Sequence, residues 1–77
     1  MQRIYLEKRD LEKNQSRFYT VTLSLGVFGE WAVVREWGRI GSPGTVRSDW
    51  YATQESARQA MEILQKQKSK RGYVIKI

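Results

Sequence analysis

The chain has 77 residues, 14 of them Lys or Arg and 8 Asp or Glu, for a formal net charge of +6. It contains no cysteine and no histidine, which excludes disulfide staples, thiolate or imidazole metal sites, cysteine nucleophiles and histidine general bases. With 40% apolar and 12% aromatic residues, a core must come from packing alone, in a chain that buries only about 60–65% of its unfolded surface.

Residues 3–8 predict a first strand, with Ile4 and Leu6 on one face and Arg3, Tyr5 and Glu7 on the other. The polar stretch after it closes on Asn14-Gln15-Ser16, which supplies turn chemistry. Residues 17–25 are the clearest strand. Tyr19, Val21, Leu23 and Leu25 alternate with Phe18, Thr20, Thr22 and Ser24, and β-branched and aromatic types dominate. Residues 26–30 read as a hairpin turn in which Gly26 and Gly29 are free to take positive φ.

Residues 31–40 predict a third strand, with Trp31, Val33, Arg35, Trp37 and Arg39 on one face and Ala32, Val34, Glu36, Gly38 and Ile40 on the other. Gly41-Ser42-Pro43-Gly44 is a second turn, and Pro43-Gly44 suits the central pair of a type II turn, with Gly44 taking the positive φ. Residues 45–52 make a fourth strand, with Val46, Ser48, Trp50 and Ala52 on one side. Thr53 is a helix N-cap, and the helix is expected over residues 54–68. Ala57, Ala60, Met61 and Leu64 form one apolar stripe at helical spacing. Glu55 opens the helix and Lys66, Lys68 and Lys70 lie near its end, complementing the macrodipole. Gly72 is a stop signal, and residues 73–77 are short, β-rich and suited to a sheet edge.

The expected fold class is therefore α+β: an antiparallel four-stranded sheet, with a short fifth strand available at the end, and one helix packed on one face. Residues 1–77 are expected to form one domain. No stretch approaches the ~20 apolar residues of a membrane span, and the opening MQRIYLEKRD is too charged for a secretory leader. The expectation is a soluble cytoplasmic chain, with nucleoid association compatible with its charge, no membrane partner, no cofactor and no metal.

The positive charge is uneven. Residues 58–77 hold six basic side chains against one acidic, whereas residues 29–57 hold three against four. A basic end on a small domain can be a footprint for phosphate, or a solvated helix face. The carboxylates are scattered singly, and the glycine-rich turns lack a phosphate-loop pattern, so no catalytic residue is assigned.

Trp37-Gly38-Arg39 is the one compact constellation with binding chemistry. Tryptophan can stack on a sugar or base, arginine can grip phosphate with a planar fork, and glycine between them lets a ligand or another backbone approach. The alternative is a core aromatic, a bulge glycine and a surface charge. Trp31 and Trp50 lie on strands and read as core aromatics. Lys66, Lys68, Lys70 and Arg71 read either as a phosphate clamp or as helix-end charge, and Arg47, close to the Pro43-Gly44 turn, can join either set.

Phe28-Gly29-Glu30-Trp31, then Val33-Val34-Arg35-Glu36-Trp37-Gly38-Arg39-Ile40-Gly41, then Gly44, resemble the signature of the WGR domain family. Phe18-Tyr19, Glu55, Ala57 and the closing Lys70-Arg71-Gly72-Tyr73 fit the same pattern, so the resemblance runs from Ile4 to Tyr73. The resemblance implies a compact sheet with one helix, of the kind found in eukaryotic poly(ADP-ribose) polymerases and in bacterial proteins. In the polymerases the module is non-catalytic, contacts DNA near a break and touches neighbouring domains. The motif tryptophan packs on DNA at a strand end and the motif arginine helps connect DNA to other domains; the matching positions are Trp37 and Arg39. A chain of this length holds no polymerase catalytic domain, so the resemblance implies no such activity.

The resulting expectation is a nucleic-acid-binding module, for DNA before RNA, acting at ends, nicks or single-strand junctions without base-specific readout. Its expected site is Trp37, Gly38, Arg39, Arg47, Lys66, Lys68, Lys70 and Arg71. The competing expectation is a protein-interaction module that docks a partner on the Trp37/Arg39 surface. A third is an accessory domain whose basic helix is only a solvated surface.

Overall fold

A computed structural model describes residues 2–76. In chain order it contains β1 (Gln2–Asp10), β2 (Gln15–Leu25), β3 (Trp31–Arg39), β4 (Thr45–Tyr51), α1 (Gln54–Lys70) and β5 (Val74–Ile75). The strands form one antiparallel sheet in the order β4-β3-β2-β1-β5. The α+β meander expected from period-two patterning is the observed architecture. The short fifth strand forms too, pairing with the outer edge of β1 through Leu6 and Ile75. The terminal Ile77 of the expected strand lies outside the described residues.

Period-two alternation gives the sheet one apolar face. Leu6 of β1, Tyr19, Val21 and Leu23 of β2, and Val33 of β3 are buried there. The helix covers this face with Ala57 and Met61 buried and Ala60 and Leu64 partly buried against the same cluster, which is the stripe its spacing predicts. Thr53 caps the helix: its backbone is extended, and its hydroxyl oxygen accepts from the Ser56 N–H at 3.1 Å. Among the described residues, no helix is long and apolar enough to cross a membrane.

Three local expectations fail for identifiable reasons. The Pro43-Gly44 pair is not a type II turn, because the positive φ falls at Gly41 (φ 91) and the turn closes earlier, with Ser42 N–H donating to the Arg39 carbonyl at 3.1 Å. Gly44 is required for proximity instead. A Cβ there would sit 2.7 Å from the Trp37 carbonyl oxygen and 2.8 Å from the Phe18 ring. In the β2–β3 hairpin only Gly29 takes positive φ (φ 87); Gly26 makes room for the Glu30 side chain and Trp50. Trp50 is not a core residue. It lies on the sheet face away from the helix, 59% exposed, whereas Trp31 packs against the core margin.

Candidate nucleic-acid interface

The β2–β3 register places Tyr19 opposite Trp37, Arg17 opposite Arg39 and Phe18 opposite Gly38, without a slip in the ladder. Gly38 is therefore a regular strand residue rather than a bulge. The space a side chain would occupy there meets the Gly44 Cα at 3.2 Å and Phe18 at 3.5 Å. On that face Gly38 is occupied by the protein itself, and only its neighbours Trp37 and Arg39 stand on the helix side.

The β1–β2 register adds Lys8 opposite Arg17. Lys8, Arg17 and Arg39 thus form one transverse row of three cations on the helix side of the sheet. Like charges directly opposite one another destabilise a sheet. Next to this row Tyr19 and Trp37 stack with centroids 6.0 Å apart and planes 22° apart.

The helix delivers the remaining groups. Its buried stripe of Ala57, Met61 and Leu64 continues, one turn on, to Lys68, where the ammonium lies 4.6 Å from the Tyr19 ring centroid. Burial, reinforced by Arg71 and Arg35, holds the Lys68 pKa below the ordinary lysine value. The chain then reverses through a glycine C-cap. Tyr73 N–H donates to the Lys68 carbonyl at 3.0 Å and Gly72 N–H to that of Ser69 at 3.1 Å, with Gly72 at φ 96, the pattern of a Schellman motif. This reversal sets Tyr73 edge-on to Tyr19 at 6.1 Å, between Lys8 and Lys68. The Arg71-Gly72-Tyr73 run is thereby explained by chain geometry: only glycine takes the reversing position at no steric cost.

These groups surround a groove at the C-terminal end of α1. Arg17, Trp37, Gly38, Arg39 and Tyr73 line one cavity of about 240 Å³. Lys8, Arg17, Trp37, Lys68 and Arg71 line an adjoining one of about 290 Å³. Among the described residues no carboxylate forms an ion pair with Lys8, Arg17, Arg39, Lys68 or Arg71; the ion pairs involve Arg9, Arg35, Arg47 and Arg58. Arg35 reaches Asp49 at 3.0 Å, and its Nε is buried beside Trp37 without a hydrogen-bond partner among the described residues.

The structure therefore brings together Trp37, Gly38, Arg39, Lys68 and Arg71 of the residues singled out in the sequence. Lys66 and Lys70 are exposed and do not line these cavities, and Arg47 pairs with Asp49 on β4 at 3.2 Å. Lys8, Arg17, Tyr19 and Tyr73 enter the groove without having been singled out. Lys68 was recoverable as the next position of the apolar helix stripe; the row of Lys8 and Arg17 depends on strand register and carries no local signal.

The family description of the WGR domain matches residues 2–76. An uncharacterized protein (y4dW) of Sinorhizobium fredii (strain NBRC 101917 / NGR234) is 35% identical over 71 residues, covering 92% of this chain. The chain spans about a third of that relative's length, 35%. No solved structure matches. The match across residues 2–76, with the sheet-and-helix architecture and the Trp37-Gly38-Arg39 strand at the groove, establishes that the chain belongs to the WGR domain family, a non-catalytic family whose membership supports a nucleic-acid-binding module.

Proposed function

We propose that the chain binds nucleic acid, DNA in preference to RNA, by seating the phosphate backbone in the groove between β2–β3 and the end of α1. The observation that carries this reading is the cluster of five cations, Lys8, Arg17, Arg39, Lys68 and Arg71, without carboxylate partners among the described residues and gathered around Tyr19, Trp37 and Tyr73. Cations held against each other, one of them desolvated, cost free energy that a bound polyanion offsets while releasing its own counterions. Beside the groove, the Arg35 Nε is a buried donor next to Trp37 without an acceptor among the described residues.

Trp37 supplies the aromatic surface on which a terminal sugar or base stacks, with Tyr19 supporting the ring from behind. Affinity comes from phosphate neutralisation, and the preference for ends, nicks or single-strand junctions from that stacking, without base-edge readout. The test compares blunt duplex, nicked duplex, closed circle, single strand and RNA at two salt concentrations. Open or nicked DNA is expected to bind best, with steep salt dependence. Equal binding to closed circles removes the stacking role, and absence of binding to any nucleic acid, or a shallow salt slope with capture by a protein partner, overturns the reading.

A further inference from the structure

We propose that β4 is a self-pairing edge through which two copies of this chain join their sheets. Among the described residues β4 has a neighbour on one side only, β3, and runs in unbroken register with it from Thr45 to Tyr51. It contains no proline and no bulge, two of the devices that keep an open edge from recruiting another strand, and its two charges, Arg47 and Asp49, are of opposite sign. Apolar surface flanks this edge on both faces: Val46 and Trp50 are each 59% exposed on the side away from the helix, and Ile63 of α1 is 56% exposed on the other.

The sequence of the edge selects both partner and register. In an antiparallel pairing centred on Ser48, Arg47 of one copy faces Asp49 of the other, Val46 faces Trp50, and Thr45 faces Tyr51. The charges meet on the helix side and the apolar pair on the open side, as strand alternation requires. Shifting the centre to Arg47 or to Asp49 sets two like charges opposite each other, which is unfavourable. A one-residue slip turns Val46 and Trp50 of the arriving copy to the wrong face. The strand is thus complementary to itself in one register. Asp49 already receives Arg35 and Arg47 on separate carboxylate oxygens, leaving lone pairs for the arriving guanidinium. The two-fold axis lies perpendicular to the sheet, so both helices and both basic grooves share one face of a continuous ten-stranded sheet. This pairing is independent of what the groove binds.

Sedimentation velocity over a concentration series tests it. The wild-type chain is expected to pass from monomer to dimer as concentration rises. Arg47→Asp sets a second carboxylate against Asp49 twice per dimer and is expected to weaken association by roughly tenfold or more, with circular dichroism unchanged. In the cysteine-free chain, Ser48→Cys is expected to give a covalent dimer on mild oxidation. Residues facing each other across the two-fold have Cα atoms ~4.5–5.5 Å apart, within disulfide range, whereas a register shifted by two puts them beyond it. A wild-type chain that stays monomeric at its highest soluble concentration overturns the proposal. So does a dimer that Arg47→Asp leaves intact, or one in which Ser48→Cys does not cross-link.

Discussion

Arg17 and Arg39 face each other across β2 and β3, and neither has a carboxylate partner among the described residues. Such a pair destabilises the free fold, so its neutralisation has opposite consequences for folding and for binding. Arg39→Gln is expected to raise stability by ~0.2–1 kcal/mol, to weaken DNA binding, and to flatten the salt slope by ~1 unit. Thermal melts and binding isotherms at several salt concentrations read both effects.

Lys68 shows the same opposition at the helix end. Its folded-state pKa lies below the ordinary value of 10.5, first because of burial and then because of Arg71 and Arg35. A lysine whose pKa is depressed on folding costs stability while charged, and the cost is relieved as pH rises through the folded value toward the unfolded one. Lys68→Met keeps the apolar stem over Tyr19 and removes the charge. Its melting temperature at neutral pH is expected to be no lower than that of the wild type, and the alkaline rise in stability should disappear. DNA affinity should fall together with the salt slope.

The helix stripe makes a graded prediction. Met61 is 3% exposed, whereas Leu64 is only partly buried. Met61→Ala should cost ~2–5 kcal/mol, since truncation leaves a cavity, and Leu64→Ala distinctly less. Urea unfolding of the two variants checks the order; a larger loss at Leu64 contradicts this placement of the helix.

Gly44 and Gly41 separate crowding from backbone strain. Gly44→Ala drives a methyl against the Trp37 carbonyl and the Phe18 ring and should cost ~1–3 kcal/mol as an overpacked site. Gly41→Ala meets open space but holds φ 91, so its cost is strain alone, ~1 kcal/mol. Loss at Gly44 with none at Gly41 would restore the type II reading of the Pro43-Gly44 turn, in which Gly44 and not Gly41 holds the positive φ.

What the sequence made legible was whatever a periodic pattern encodes locally. Tyr19, Val21 and Leu23 announce their strand and its buried face, Thr53 its cap, and Ala57 to Leu64 the helix face. What escaped depended on partners distant in sequence. Gly44 looks like a turn glycine because its demand, the approach of Trp37 and Phe18, comes from two other strands. Trp50 looks like core because nothing local says that its face of the sheet has no helix above it. Lys8 and Arg17 look like ordinary surface charges until register lines them up with Arg39. Helical spacing from Leu64 separates Lys68 from Lys66 and Lys70, but its approach to the Tyr19 ring emerges only once the helix is packed.

The most direct measurement compares two triple variants that lose the same charge. Arg17→Gln/Arg39→Gln/Lys68→Gln removes three of the five groove cations, and Arg3→Gln/Lys66→Gln/Lys70→Gln removes three exposed cations outside it. With DNA affinity measured against salt, the groove variant should flatten the slope by ~2–3 units and the surface variant by less than ~1. Equal losses from the two would mean that net charge alone attracts the polyanion, and would contradict a site built around Trp37.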